Sequence, residues 1–166
     1  MKTALYPGSF DPITLGHLNI VRRAAAVFDK VVVCVMKNSE KSPMFTIEER
    51  MELARKVTAR FSNVEVATTD MLLAEYAKQF DGAVIVKGLR ALSDFDYEFQ
   101  IALINKKMNP QLETMFLTAS EKYTYLSSSV VKEMARYGAD LSDFVPIEII
   151  GDVIGRTNSL RRQKAQ

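Results

Sequence analysis

The stretch TALYPGSFDPITLGH, residues 3–17, begins the alternating pattern that decides the fold. Its first residues, Thr3–Tyr6, form an apolar run typical of a buried strand. A loop with glycine and proline follows, and apolar residues then recur at helical spacing at Leu18, Val21, Ala25 and Phe28. The stretch therefore predicts one strand that is followed by one helix.

The same unit repeats along the chain. Apolar, largely β-branched runs predict four more strands, at Val31–Met36, Val64–Ala67, Ala83–Val86 and Thr114–Thr118. Helical patterns lie between the runs, and Thr46 with Glu49 forms a capping box at the start of one helix. This order predicts an α/β fold in a single domain: a doubly wound, Rossmann-like sheet of five parallel strands with helices on both faces.

Three further helices are predicted after the third strand. One carries apolar residues between Leu72 and Phe80. The next runs from about Asp94 to Lys107, and a third begins near Ser128 and ends before Gly138. The Asp94 helix carries four apolar residues, Phe95, Phe99, Ala102 and Leu103.

The composition limits the class of protein. The chain has 166 residues, 48% of them hydrophobic and 25% charged, which suits one globular domain. Neither a membrane-spanning run nor a signal-peptide core is visible, so we expect a cytoplasmic protein with no membrane partner. The single cysteine, Cys34, lies in an apolar run and is interpreted as a buried strand residue.

Basic residues concentrate at the C-terminus. Residues 156–166 hold four of the 22 basic residues and none of the 20 acidic ones. We interpret residues 1–155 as the folded domain and 156–166 as a basic tail that is disordered or loosely ordered. The alternative, contact with RNA or a membrane, is disfavoured because the tail has no aromatic residue; no nucleic-acid partner is expected.

The segments that leave the predicted strands contain the candidate site. In doubly wound sheets, ligands bind outside the carboxyl ends of the strands. Here those segments hold Gly8-Ser9, then Lys41, then the run Lys87-Gly88-Leu89-Arg90, and finally Ser127-Ser128-Ser129. Neither a P-loop nor a G-x-G-x-x-G motif is present, so phosphate would be held by helix-start amides and separate cations.

His17 is the only histidine, and it follows Gly16 where the first helix starts. A lone histidine is often a surface or core residue, but this position predicts that it faces the ligand crevice. The serine run could be a simple helix cap or a second phosphate cradle. Glu98 could be a surface charge, a ribose ligand or a partner of Arg90.

These residues favour one type of reaction. The pattern contains no nucleophile beside a base and no carboxylate cluster for two metals. It therefore indicates phosphoryl or nucleotidyl transfer, in which positioning and charge stabilisation do most of the work. An attacking phosphate is already deprotonated at neutral pH, so no general base is required.

The same residues resemble a known family. Thr14-Leu15-Gly16-His17 resembles the [HT]-x-G-H motif of the nucleotidyltransferase superfamily. The blocks that surround it and follow it are similar to the bacterial phosphopantetheine adenylyltransferase family, in order, from residue 2 to about 150. These blocks are residues 6–14, 41–46, 87–98 and 123–133.

The resemblance implies transfer of AMP from ATP to 4'-phosphopantetheine, giving dephospho-coenzyme A and pyrophosphate in coenzyme A synthesis. By position, 4'-phosphopantetheine would contact Ser9, Lys41, Leu73 and Lys87. ATP would contact Ser9, Phe10, His17, Gly88, Leu89, Arg90, Glu98, Tyr123, Thr124, Tyr125, Leu126, Ser127, Ser128 and Ser129. The catalytic residues would be His17, Lys41 and Arg90.

The resemblance also implies Mg²⁺ as cofactor with ATP, a homohexamer, and coenzyme A as an inhibitor. The metal's ligands are not indicated by the sequence. Lys87 stands where many relatives have arginine. The lysine keeps the positive charge, but it cannot form the two parallel hydrogen bonds with phosphate that arginine can.

Two alternatives remain open at this point. The superfamily also contains cytidylyltransferases and nicotinamide mononucleotide adenylyltransferases, which differ in the acceptor. The second alternative is a non-catalytic nucleotide sensor. A sensor would need contacts with ATP, but it would not need cations that bind the phosphate of a second substrate.

Overall fold

The computed structural model describes residues 1–37 and 42–164. Its strands form one parallel sheet in the order β3-β2-β1-β4-β5. The strands are β1 (Thr3–Gly8), β2 (Lys30–Val35), β3 (Val64–Thr68), β4 (Val84–Leu89) and β5 (Glu113–Thr118). The predicted five-stranded parallel sheet in a single α/β domain is confirmed.

Six helices connect and flank these strands. They are α1 (Leu15–Ala25), α2 (Ile47–Thr58), α3 (Leu73–Tyr76), α4 (Leu92–Met108), α5 (Ser128–Tyr137) and α6 (Ile150–Lys164). Short 3₁₀ turns lie at Ala77–Gln79, Glu121–Tyr123 and Ile147–Ile149. Within the described ranges, every helix is too short or too polar to cross a lipid bilayer.

Both faces of the sheet are covered, as the side chains of β2 show. Val31, Val33 and Val35 point into a large core with residues of α1, α2, α5 and α6. The alternate residues Val32 and Cys34 point into a smaller core on the other face, with α3. Cys34 is buried, as predicted, and burial raises the pKa of its thiol to about 12.

The strand order reverses beside β1. The chain moves outward from β1 to β2 and β3, then returns to place β4 on the other side of β1 and continues to β5. Connections that diverge in this way leave a crevice at the carboxyl ends of the two central strands. The segments after β1 and β4 meet there.

Several predicted boundaries and faces are wrong. Helix α1 ends at Ala25, so Phe28 follows it, although Phe28 is still buried. Lys87-Gly88-Leu89 belongs to β4 and does not follow it. On α4, the predicted residues Phe95, Phe99 and Leu103 are exposed by 37%, 45% and 55%, although the Phe95 ring contacts Phe116 of β5. The fourth predicted residue, Ala102, is partly buried.

The prediction of a loosely ordered tail after residue 155 is also wrong. Helix α6 continues through this point to Lys164. Ile149, Val153 and Thr157 recur at helical spacing and are all buried, so one helical face packs on the core on both sides of the predicted boundary. Arg161 and Arg162 are exposed on this ordered helix.

Gly8 gives a test of the packing at the end of β1. A Cβ atom at this position would lie 2.8 Å from Cζ of Phe10, whose ring is buried. Gly8→Ala should therefore lower the free energy of unfolding by about 1–3 kcal/mol through overpacking. Gly155→Ala is the control, because a Cβ there meets no atom within 4 Å. In thermal unfolding, the control should be neutral or up to about 1 kcal/mol more stable; equal behaviour of the two variants would contradict the packing described.

Candidate active site

A cavity of about 480 Å³ lies at the reversal of strand order. The loop after β1, the end of β4, the start of α4 and the start of α5 provide its walls. The predicted residues that line it are Ser9, Phe10, His17, Lys87, Gly88, Arg90, Glu98, Tyr123, Leu126, Ser127, Ser128 and Ser129.

The loop from β1 to α1 is held in an unusual conformation. Phe10 has a positive φ of 48°, a region that bulky residues rarely adopt. Its ring is buried and packs edge-on against the imidazole of His17, with ring centroids 5.1 Å apart. The carbonyl oxygen of Ser9 accepts a hydrogen bond from the guanidinium of the buried Arg50 at 2.7 Å. The loop is thus fixed by the core beneath it.

His17 is oriented by the cap of its own helix. The backbone N–H of Thr14 donates to Nδ1 of His17 at 3.0 Å, and Oγ1 of Thr14 accepts from the backbone N–H of His17 at 3.2 Å. Together these bonds form a capping box, in which Thr14 is the N-cap and His17 is the third residue of α1. Because Nδ1 is an acceptor, the neutral ring carries its proton on Nε2.

Electrostatics keep this ring neutral. Burial lowers the pKa of His17 to about 4, and the positive charges of Arg90 and Lys87 act in the same direction. At neutral pH, His17 is therefore a hydrogen-bond donor without a charge of its own.

The N-termini of α1, α4 and α5 line the cavity. At the start of α5, the side chain of Ser127 accepts from the backbone N–H of Val130, and the hydroxyl of Ser128 donates to the carbonyl of Pro12 at 2.8 Å. These two hydroxyls are therefore used inside the protein. The backbone amides of Ser128 and Ser129 belong to the first turn, where amides have no partner within the helix. They make this end of α5 a place for an anion.

The cations of the cavity are paired with carboxylates. Nζ of Lys87 lies 3.1 Å from a carboxylate oxygen of Glu98. Nε of Arg90 lies 3.1 Å from Asp94, and its guanidinium also donates to the carbonyl of Leu126 at 3.0 Å. Glu98 thus pairs with Lys87, and Arg90 has Asp94 as its carboxylate partner.

A second cavity of about 380 Å³ adjoins the first. The two share Pro7, Lys87, Tyr97 and Glu98, so the Lys87–Glu98 pair lies at their boundary. The walls of the second cavity are mostly apolar side chains of α3 and α4 and the residues beside them. They include Leu72, Leu73, Ile101, Ala102, Ile104, Asn105 and Met108.

Comparisons with known proteins identify the family of this chain. A family model described as cytidylyltransferase-like matches residues 5–134. A phosphopantetheine adenylyltransferase of Caldanaerobacter subterraneus subsp. tengcongensis is 57% identical over 146 residues, which cover 88% of this chain and 91% of the relative. The chain belongs to the phosphopantetheine adenylyltransferase family. A Clostridium botulinum member, from strain Hall, is 51% identical over 95% of this chain and 96% of its own length.

Solved structures extend the likeness at the level of the fold. A Vibrio parahaemolyticus structure described as a nicotinate-nucleotide adenylyltransferase has a TM-score of 0.68 at 18% identity, covering 93% of this chain and 95% of that one. Plasmodium falciparum nicotinic acid mononucleotide adenylyltransferase, complexed with NaAD, has a TM-score of 0.64 at 14% identity, over 96% and 95%. The predicted family and the prediction of a nucleotidyltransferase enzyme are confirmed.

Some residues assigned from the phosphopantetheine adenylyltransferase resemblance lie away from the first cavity. Leu73 lines the second cavity. Leu89, Thr124 and Tyr125 line neither; the carbonyl of Leu89 accepts from Ala119, and Tyr125 is 56% exposed beside Phe144. Lys41 lies outside the described residues.

Sequence reasoning missed most of the second cavity. Its α4 wall is formed by Tyr97, Ile101, Ile104, Asn105 and Met108, which recur every three or four residues. That spacing was visible in the sequence. The predicted stripe on the same helix was Phe95, Phe99, Ala102 and Leu103, and of these four residues Ala102 lines this cavity.

The described residues form no protein cage for a metal. Between residues 1 and 37 and between 42 and 164, no three His, Cys, Asp or Glu side chains cluster in a way that could hold an ion. Mg²⁺ in nucleotide enzymes is commonly held by substrate phosphates, water and one or two carboxylates. The donor set of this family member fits an ion that enters with its nucleotide.

The protonation state of His17 can be tested directly, because a single histidine gives unambiguous imidazole signals. In a ¹⁵N-resolved NMR titration of the folded protein, the ring should remain the neutral Nε2–H tautomer from pH 8 to pH 5.5. The ring would gain its proton only as the pH falls through about 4. In urea-unfolded protein, the same signals should titrate near pH 6.5. A folded-state midpoint near 6.5 would show that the ring is neither buried nor anchored as described.

Proposed function

We propose that this protein transfers AMP from ATP to 4'-phosphopantetheine, giving dephospho-coenzyme A and pyrophosphate. One observation supports this most strongly: a cavity with helix N-termini and cations in its walls adjoins a more apolar cavity, and Lys87 lies where they meet. The first suits a nucleoside triphosphate. The second suits a long, weakly polar arm that ends in a phosphate. The names of the two relatives described above point to the same acceptor.

ATP would occupy the first cavity. The free amides at the start of α5 and the guanidinium of Arg90 would hold its phosphates. Glu98 would accept hydrogen bonds from ribose hydroxyls. The backbone of Ser9, Phe10 and Gly88, with Tyr123 and the segment 126–129, would complete the site.

The pantetheine arm would occupy the second cavity. Leu73 and its apolar neighbours would contact the arm, and Lys87 and Lys41 would hold the phosphate at its end. Asn105 lines this cavity and offers an amide to the peptide-like groups of the arm. An acceptor such as nicotinamide mononucleotide is rigid and polar, so it would leave these apolar walls unfilled.

The reaction needs positioning and charge stabilisation more than it needs a base. An oxygen of the acceptor phosphate forms a bond to the α-phosphorus of ATP, the bond to the β-phosphate oxygen breaks, and its electrons leave with pyrophosphate. The acceptor oxygen is already deprotonated at neutral pH. Nε2–H of His17 would donate to an α-phosphate oxygen as charge builds there, and Arg90 and Lys41 would offset that charge.

We propose Mg²⁺ as the companion of ATP. It would be held mainly by phosphate oxygens and water, with Asp94 and Glu98 as the carboxylates that line the cavity. When bound, the ion would neutralise charge on the phosphates.

A non-catalytic nucleotide sensor is the weaker alternative. A sensor needs the first cavity alone. It gains nothing from an apolar cavity next to it with a lysine at the boundary.

We also propose that the protein forms a homo-oligomer, and the family resemblance implies a hexamer. We propose that coenzyme A inhibits the enzyme and that the protein is located in the cytoplasm. Apolar side chains exposed on α4 and β5 support self-association: Phe95, Phe99, Leu103, Ile104, Met108 and Met115. Coenzyme A carries the same pantetheine arm and would compete for the second cavity. Light scattering and inhibition kinetics test these two points.

Pyrophosphate release with Mg-ATP and 4'-phosphopantetheine tests the activity, and His17→Ala tests its centre. This variant should lose about a hundredfold to a thousandfold in turnover, because it lacks the donor to the developing charge. Its free energy of unfolding should fall by about 1–2 kcal/mol, because the variant loses the capping hydrogen bond from Thr14 and the contact with Phe10. Lys78→Ala, outside both cavities, is the control. Near wild-type turnover in the histidine variant would contradict the assigned role, and absence of activity in the wild type would contradict the function.

Lys41→Ala and Lys87→Ala should impair use of the acceptor more than binding of ATP. Each removes a cation assigned to the acceptor phosphate, and kcat/KM for 4'-phosphopantetheine should fall by at least about tenfold. Lys87→Arg is the matched control, since it keeps the charge. Calorimetry with ATP alone and kinetics with pantetheine, which lacks the phosphate, complete the test. Equal loss of ATP binding, or efficient use of pantetheine, would argue against the assignment.

A further inference from the structure

Tyr6 is a buried residue of the first cavity that the proposed reaction leaves unused. It lies in the second half of β1, where Tyr6 and Ala4 point into the larger core and Leu5 points into the smaller one. Tyr6 is 5% exposed and lines the first cavity, but it does not line the second. Its side chain is therefore a buried part of the wall on the nucleotide side.

Aromatic neighbours fix the orientation of this side chain. The Tyr6 ring packs edge-on against Phe10, with ring centroids 5.3 Å apart, and its centroid lies 6.5 Å from that of His17. Phe10 and His17 also contact each other, so the three rings form one cluster after β1 and at the start of α1. Close packing of this cluster holds the phenol ring in one orientation.

The hydroxyl of Tyr6 has no hydrogen-bond partner among residues 1–37 and 42–164. In those ranges, every fully buried polar side-chain atom does have a partner. The Tyr6 hydroxyl therefore reaches solvent, and it does so at the surface of the first cavity, which the residue lines. A buried side chain with an unpaired polar atom at a cavity surface is typical of a group that binds a ligand.

This hydroxyl is a hydrogen-bond donor at neutral pH. Burial raises the pKa of Tyr6 above its ordinary value, although the positive charge of Arg90 acts in the opposite direction. The charge of Glu98 also acts on the hydroxyl. Arg90 and Glu98 are the side chains proposed for the phosphates and the ribose of ATP, so the Tyr6 hydroxyl lies among the groups that would surround the nucleotide.

We infer that the hydroxyl of Tyr6 donates a hydrogen bond to an α-phosphate oxygen of ATP, beside the donor of His17. The inference rests on the proposed function, in which ATP occupies the first cavity and His17 contacts its α-phosphate. The contact between the two side chains favours this oxygen, because a phenol hydroxyl and Nε2 of a neighbouring imidazole can approach two oxygens of one phosphate group. Two neutral donors would then bind the reacting phosphate, while the cations of the cavity supply the charge.

Tyr6→Phe tests this inference, because it removes the hydroxyl and keeps the ring that packs against Phe10 and His17. The Kd for ATP, measured by calorimetry, should rise by about tenfold or more, the effect of one lost hydrogen bond to a charged group. The Kd for AMP, measured by NMR titration, should rise similarly, whereas the Kd for adenosine, which has no phosphate, should not change. Tyr137→Phe, at the exposed end of α5, is the matched control and should bind all three ligands as wild type does.

Thermal unfolding separates ligand binding from support of the fold. Since the Tyr6 hydroxyl has no partner among the described residues, its removal should leave the Tm of the free protein equal to that of wild type or higher. A hydroxyl that only supports the fold would give the reverse result, a lower Tm with an unchanged Kd for ATP. That result would overturn the inference.

Sulfur substitution in the ligand locates the contact. In wild type, the ATPαS diastereomer that has sulfur in place of the contacted oxygen should bind more weakly than ATP, because sulfur is a weak hydrogen-bond acceptor. Tyr6→Phe should reduce this loss for the same diastereomer, as expected when both changes remove one interaction. Equal losses in the two proteins for both diastereomers, or a rise in the Kd for adenosine as large as that for ATP, would overturn the inference.

Failure of the proposed function gives a different result. Wild-type protein that binds ATP but releases no pyrophosphate with 4'-phosphopantetheine would overturn the proposed reaction and leave the Tyr6 contact standing. Wild-type protein that does not bind ATP would overturn both.

Discussion

The reversal of strand order beside β1 is the constraint on which the site depends. Parallel strands have all their carboxyl ends at one edge of the sheet. The connections that follow β1 and β4 run in opposite directions from that edge, so they leave a crevice between them. The first loop, the start of α5 and the end of β4 therefore share one cavity. Groups that are far apart in the sequence therefore lie close together at this edge of the sheet.

Within that cavity, cations and carboxylates lie side by side. Lys87 and Arg90 are paired with Glu98 and Asp94 on α4, so the cations have partners before a phosphate arrives. His17 differs, because burial and the neighbouring cations keep it neutral. A neutral donor beside charged groups can bind an oxygen that gains charge during reaction without binding the ground state much more tightly.

The C-terminal helix shows how a surface charge pattern misleads. Four basic residues with no acidic ones indicate a solvated tail, yet Arg156 is partly buried against Phe45 and paired with Glu49. Arg161 and Arg162 are exposed on the same ordered helix. Net charge describes a segment as a whole, whereas packing depends on which face each residue occupies.

The sequence by itself determined the alternation of strands and helices, the parallel sheet, and the placement of His17, Lys87, Arg90 and the serine run at one edge. These follow from local periodicity and the rules of parallel sheets, and specific motifs supplied the family. Only the tertiary structure decided that Glu98 pairs with Lys87, which face of α4 is buried, and that α6 continues past Gly155. These three features depend on contacts between segments that are distant in the sequence. An apolar residue can lie in the core or on the surface, and only the surrounding tertiary structure determines which.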